Sequence, residues 1–388
     1  MIKSWLLKAA AGSGTLLVML FLMTMTAKAD ALQVPPSRFA PLETLIMDAV
    51  DSRRIPGGVA FVAEGGNMVW RMAAGEISSD ERMPDNAIFP LASVGKMYTA
   101  TAAMILRDEG VIRLDDPVST YLPAFADDPD LTIRHLLTHT SGLTLNGNLY
   151  WSVWNEHFGS TTTAEFAAGL ANLPRTALPG ERFEYGATGG NYEVLAAVIE
   201  AASGQTLEAF LTERVFAPLR LEETYFYIPE EQRQRLPAYY RQENGELVQV
   251  RERGDDWERS GYFPGGGGIS ASADDVLRFA QIFLNDGEAD GVRILSDEAV
   301  QMMMSDQMGD IPALDEELSW GFGAAVSEDA TPAQRELYGW VGGGQAQLWI
   351  HLPTRRVFFL AFSLDSPGDN DLLRRYRNMA MVPESRPD

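Results

Sequence analysis

Leu91-Ala92-Ser93-Val94-Gly95-Lys96-Met97-Tyr98 carries the most information in this chain. Ser93 and Lys96 stand at i and i+3, so on a helix they share a face. The chain holds four lysines, Lys3, Lys8, Lys28 and Lys96, and uses arginine for its other basic side chains. Arginine stays protonated in proteins, whereas a desolvated lysine can give up its proton. A lysine kept where the chain otherwise uses arginine therefore points to a needed amine. A hydroxyl beside such an amine is an activated nucleophile. The same serine, placed before an apolar helix, is equally an ordinary N-cap. This stretch alone leaves both readings open.

Composition narrows the classes. The formal net charge is −23, from 31 Lys+Arg against 54 Asp+Glu. Such a surface repels phosphate backbones and speaks against nucleic acid as a partner. The N-terminus reads as an export signal: Lys3 and Lys8 form a basic flank, an apolar core follows, and Ala27-Lys28-Ala29 is a small-x-small cleavage site, with Asp30 as first mature residue. The alternative is an uncleaved anchor. However, the dense apolar run from Leu16 to Met25 falls short of the roughly 20 residues a membrane span needs. There is no cysteine. That excludes disulfides and a lipid-anchored cysteine, and it fits a periplasmic or secreted protein. The expected organisation is a signal peptide over 1–29 and one domain over 30–388.

The pattern along the chain predicts a helix over 42–51, then strands over 59–64 and 68–74 joined at Gly65-Gly66-Asn67. The Ser93 helix follows, its apolar positions Val94, Met97, Ala100, Met104 and Ile105 at helical spacing and Gly110 as its stop. Residues 114–263 read as helical and loop-rich, with helices over 132–138 and 193–202. Gly265-Gly266-Gly267-Gly268 reads as a hinge. Beyond it lie a helix over 273–284, strands over 346–350 and 356–363, and a closing helix over 371–381. Strands at both ends and helices between them predict an α+β fold. An antiparallel sheet built from both termini (about 30–95 and 265–388) would be flanked by helices, with a helical lobe (about 96–264) inserted and a cleft between.

Four further segments join the Ser-x-x-Lys run in a fixed order. They are His135-Leu136-Leu137-Thr138-His139-Thr140-Ser141-Gly142-Leu143, Pro179-Gly180-Glu181-Arg182-Phe183-Glu184-Tyr185, Gly267-Gly268-Ile269-Ser270-Ala271-Ser272-Ala273-Asp274-Asp275, and Trp340-Val341-Gly342-Gly343-Gly344. Together they resemble the serine β-lactamase-like, penicillin-binding superfamily, in its class C and esterase branch. One such segment would be weak; five in order across residues 36–366 are strong.

The resemblance implies roles. Ser93 would be the acylated nucleophile, with Lys96 helping to deprotonate it. Tyr185, from the family's Tyr-x-Asn motif, would relay the proton with Lys96. The backbone N–H groups of Ser93 and Gly343 would form the oxyanion site. Trp340 and Gly342 would border the substrate. No cofactor or metal is implied. Two departures bear on substrate. Tyr-x-Asn reads Tyr185-Gly186-Ala187 here, leaving Thr188 or Asn191 to stand in for the asparagine. Trp340 occupies the place of a carboxylate-binding lysine and offers one N–H and no charge. Both changes favour neutral esters, making a carboxylesterase the first expectation. The alternatives are a D-amino-acid peptidase, amidase or weak β-lactamase, or a silent wall- or partner-binding homologue.

Other features divide between function and packing. Tyr150, Trp151 and Trp154 line a substrate pocket or fill the lobe core. His135 and His139, at i and i+4, mimic a metal pair without a third ligand. Met302-Met303-Met304 reads as packing. Gly265–Gly268 lack the Lys-Ser/Thr of a phosphate loop. The sequence leaves the oligomeric state open.

Overall fold

The first predicted strand pairs with the last. In the computed structural model, β1 (Gly57–Glu64) lies antiparallel to both β2 (Asn67–Ser78) and β8 (Arg356–Phe362), with Phe61 opposite Phe359 and Arg71. The rest of this sheet comprises β3 (Glu81–Arg82), β4 (Leu318–Trp320), β5 (Ala325–Ser327), β6 (Leu337–Gly342) and β7 (Ala346–His351). The eight strands run in the order β4-β5-β6-β7-β8-β1-β2-β3. The structure describes residues 37–79, 81–143, 148, 152–153, 162–185, 190–251, 262–312, 318–327, 335–343, 345–364 and 368–381. The chain divides into two units, residues 1–41 and 42–388. Of the first, residues 37–41 are described, with a turn at 38–39; α1 (Ala40–Asp51) has all but its first two residues in the second. The predicted leader, and Tyr150, Trp151 and Trp154, lie outside the described residues.

The helices that position the site are α2 (Lys96–Asp108), α3 (Asn191–Ser203), α4 (Ala273–Leu284) and α5 (Asn370–Met381). Successive strand residues point to opposite faces, and the sheet uses both. Phe358 meets Tyr376 of α5. Its neighbour Phe359 stacks on Phe61 and joins the core that holds Phe279 and Phe283 of α4. The two helices thus cover opposite faces. Each fully buried aromatic here contributes roughly 1.5–3 kcal/mol relative to exposure.

Besides strands β3, β4 and β5, which the sequence pattern does not predict, and the serine turn described below, the structure departs from expectation in three places. β2 runs beyond the predicted 68–74 through Gly75, whose φ is 73° and where a Cβ would lie 2.3 Å from Pro56 O. The helical stretch also contains strands: a hairpin (Tyr239–Glu243 with Glu246–Arg251) and Thr224–Tyr225. The latter joins Ser270–Ser272 and Ile88–Pro90 in a small sheet. Short strands with mixed polar residues carry too little periodicity to announce themselves. The third departure is the Gly265–Gly268 run, which is an anchored loop, as its contacts below show.

The small sheet is clipped to α4 by Asp275. One carboxylate oxygen accepts both the Glu223 N–H (2.7 Å) and the Thr224 hydroxyl (2.9 Å). Burial raises the Asp275 carboxyl from its ordinary value to about 6. The folded chain therefore holds this proton more tightly than the unfolded chain. The burial cost is fully present above about pH 6 and is relieved as pH falls through 6 toward the ordinary value. Asp275→Asn keeps an acceptor oxygen for both donors and removes the charge. It is expected to stabilise the fold by about 1–2 kcal/mol at pH 8, a gain that fades by pH 4. Paired urea titrations at the two pH values check this; equal effects at both would remove the charge explanation.

Candidate active site

Ser93 lies in a 3-10 turn, Ala92–Gly95, and not in the helix itself, which begins at Lys96. The turn carries Lys96 onto the same side as the serine. Lys96 Nζ donates to Ser93 Oγ at 2.9 Å and to the Gly266 carbonyl at 2.7 Å. Lys96 is only 5% exposed, so the amine is held in a largely dry setting. Ala92, immediately before the serine, has φ 46°, a left-handed conformation rare outside glycine. Strain of this sort gathers where the surroundings over-determine the backbone.

Two segments provide those surroundings. The Leu91 N–H donates to Ile269 O at 2.8 Å, which sets the serine turn beside the glycine loop. Gly342, at the end of β6, lies against the same turn. A Cβ there would sit 2.2 Å from Leu91 O and 3.1 Å from Ser93 N. Gly343 follows with φ 55°. A Cβ on Gly343 would lie 3.8 Å from Ala92 Cβ, so the end of β6 runs beside the serine turn, where the family resemblance expects the N–H groups of Ser93 and Gly343 to act as donors.

The glycine loop is gripped from both sides. Thr99, one turn beyond Lys96, donates to Gly265 O at 2.8 Å. From α3, the Glu193 carboxylate accepts the N–H groups of Gly265 (3.0 Å) and Gly266 (3.1 Å) and the Tyr262 hydroxyl (2.7 Å). Burial raises the Glu193 carboxyl above its ordinary value, against the pull of Tyr262, the nearby Lys96 charge and the two peptide donors. The sequence reading missed Glu193. Its signal was an acid inside Tyr192-Glu193-Val194-Leu195-Ala196-Ala197-Val198-Ile199, otherwise a run of buried positions.

Tyr185 is half-buried, and the Lys96 amine lies 5.4 Å from its ring centroid and 5.6 Å from that of Tyr192. The Trp340 indole N–H donates to the Tyr185 hydroxyl oxygen at 2.7 Å. That is the only donor on the Trp340 side chain, so its indole offers a further neighbour its ring and no hydrogen bond. Behind Tyr185 stand Trp320 and His139, with ring centroids 5.4 and 4.8 Å away. His139 is buried, and burial with the Lys96 charge holds its imidazole well below the ordinary value, hence neutral.

Asn191 does not replace the missing asparagine of the Tyr-x-Asn motif. It is buried and bonded to Ser141 and to His139 Nδ1. Thr188 lies outside the described residues. The two histidines do not form a helical i, i+4 pair. His135 caps its own short helix through Thr132, and His139 has left the helix with φ 56°. Among the described residues, no group of three or more His, Asp and Glu side chains could hold a metal. No single described helix is long and apolar enough to cross a membrane, although the pair Asn191–Ser203 and Leu207–Leu219 passes the same test as a bent unit.

An α+β fold with a serine hydroxyl bonded to a buried lysine defines a serine hydrolase. The chain belongs to the Beta-lactamase family, whose model matches residues 42–382. It is 31% identical to Esterase EstB of Burkholderia gladioli over 80% of this chain and 86% of that one. It is also 31% identical to Penicillin-binding protein 4 of Amycolatopsis lactamdurans, over 75% and 76%. EstCE1, described as a hydrolase with promiscuous acyltransferase activity, shares the fold at a TM-score of 0.75, with 24% identity over 89% of this chain and 98% of that structure.

Proposed function

We propose that this chain is an exported carboxylesterase acting on neutral esters through an acyl-enzyme on Ser93. The observation that carries the reading is Trp340. The strand bordering the serine turn, Leu337-Tyr338-Gly339-Trp340-Val341-Gly342, has no cation to recognise a substrate carboxylate, and its one indole donor is already bonded to Tyr185.

In this mechanism Ser93 Oγ attacks the ester carbonyl carbon, and its proton passes to Lys96 Nζ when that amine is in its neutral form, with Tyr185 as the relay partner. The carbonyl oxygen takes up the negative charge beneath the N–H groups of Ser93 and Gly343, where fixed donors act most strongly. The C–O bond to the alcohol breaks, and the departing oxygen receives the proton. Water then attacks the acyl group by the same route, releasing the acid and restoring the serine. The alternative peptidase or β-lactamase substrates carry a carboxylate, for which strand β6 offers no cationic partner.

The test compares the protein with Ser93→Ala on a short-chain chromogenic ester, a chromogenic cephalosporin and a D-Ala-terminated peptide. Ester turnover should exceed the other two and fall at least about 10³-fold in the variant. Ester turnover surviving in Ser93→Ala would sink the acyl-enzyme; faster cleavage of the peptide would move the protein to the peptidases. Export is checked on the same material, since a processed protein should begin at Asp30.

A further inference from the structure

We infer that Glu193 is a positioning residue: its carboxylate holds the Gly265–Gly266 peptides against α2 and supplies the buried negative charge that keeps the Lys96 amine at Ser93. The inference rests on the reading that Lys96 serves Ser93.

A lone ammonium removed from water is costly, by several kcal/mol even after relaxation, unless it is paired and hydrogen-bonded. Lys96 has two neutral acceptors, Ser93 Oγ and Gly266 O. The compensating charge lies one peptide away. A Cβ on Gly266 would fall 2.7 Å from Glu193 Oε1 and 3.6 Å from Lys96 Nζ, so carboxylate and amine flank a single α-carbon. Glu193 is itself only 7% exposed. The Tyr262 hydroxyl and the Gly265 and Gly266 N–H groups all donate to it, which suits an ionised carboxylate.

The geometry also explains the glycines. A Cβ on Gly265 would lie 2.1 Å from Tyr192 O and 2.9 Å from Ala196 Cβ. Only a bare backbone lets the loop reach α3 closely enough for its N–H groups to meet Glu193. With those N–H groups fixed, the Gly266 carbonyl is turned toward Lys96 and the Gly265 carbonyl toward Thr99. The run is thus a rigid link from a carboxylate on α3 to an amine on α2. The other titratable groups that face this pair are Tyr262 on the carboxylate, and Tyr185, Tyr192 and His139 around the amine.

The test observes Lys96 directly. Lysine labelled with ¹³C at Cε in the full chain gives signals from Lys3, Lys8, Lys28 and Lys96 alone, and the one absent in Lys96→Arg belongs to Lys96. In Glu193→Gln the Lys96 signal should titrate about one pH unit or more lower than in the unaltered protein, because the ammonium has lost its counter-charge. Glu193→Asp, which keeps the charge, should restore most of that shift. The acid limb of kcat/KM for the ester should move the same way. A carboxylate that only packed the loop would lower the melting temperature or kcat without moving either profile. A Lys96 titration in folded Glu193→Gln within about 0.3 units of the unaltered protein would overturn the inference. If Glu193→Gln does not fold, Tyr262→Phe serves instead. It strips one donor from the carboxylate but keeps the charge, so Glu193→Met, which removes the charge without leaving an amide to satisfy, is measured beside it, and a Lys96 titration in folded Glu193→Met within about 0.3 units of the unaltered protein would have the same force. The two claims fail separately: ester turnover surviving in Ser93→Ala sinks the esterase reading, while the lysine titration, which needs no substrate, still decides the role of Glu193.

Discussion

Lys96→Arg should lower ester turnover by about 10³-fold while the protein stays folded, since general-base assistance contributes roughly 10²–10⁴ and a guanidinium cannot take up a proton at any working pH. The substitution preserves charge, so a loss cannot be blamed on the missing cation. Lys96 Nζ bonds both Ser93 Oγ and Gly266 O, and arginine can still reach a carbonyl. What it cannot do is accept the serine proton. Overpacking at this 5% exposed position should cost about 1–3 kcal/mol. Lys96→Met, similar in length and uncharged, separates the two effects: it should be equally inactive with a different melting temperature. The measurement is kcat/KM from pH 6 to 9 beside a thermal melt. Activity within tenfold of the unaltered protein in Lys96→Arg would end the proton-acceptor role.

Gly342→Ala should be nearly as damaging to the rate by a different route. The added methyl would sit 2.2 Å from Leu91 O, 3.1 Å from Ala92 Cβ and 3.1 Å from Ser93 N. The first of these contacts is with backbone, which cannot swing aside as a side chain can. Either the end of β6 or the serine turn must move. Displacements near 1 Å at a reacting group cost on the order of 10²-fold in rate, and the forced shift should destabilise by about 1–3 kcal/mol. Gly291→Ala is the control. There φ is 77° and nothing lies within 4 Å of a Cβ, so backbone strain arises without a clash. It should lose about 1 kcal/mol of stability and no activity. Labelling of Ser93 by a fluorophosphonate, followed in time, distinguishes the two; equal labelling rates would show that the β6–turn contact does not position the nucleophile.

Much of the fold was legible before any coordinates. The helices at 273–284 and 371–381 and the strands at 346–350 and 356–363 agree with the structure to within a residue or two, because the helices repeat their apolar residues at 3.6 and the strands, covered on both faces, are short continuous apolar runs. The small sheet joining 88–90, 224–225 and 270–272 was not, since strands of two or three residues have no period to detect. The glycine run was misjudged for a related reason. Glycine is chosen both for freedom and for close approach, and only the neighbours of Gly265 and Gly266 show that approach is the reason here.

The chemistry divides along the same line. The spacing of Ser93 and Lys96 is a local property: three residues through one turn place hydroxyl and amine together whatever the rest of the chain does. The retention of a single lysine beyond residue 29 likewise needs only counting. What the Trp340 donor is bonded to, where Asn191 goes and what balances the charge of Lys96 are settled between residues far apart in the chain. Trp340 meets Tyr185 across 155 positions, and Glu193 meets Gly265 across 72. Such meetings depend on how the sheet, the turn and α3 pack. A hydrogen-bond donor has one partner in the folded protein and many candidates in the sequence, and only tertiary packing selects among them.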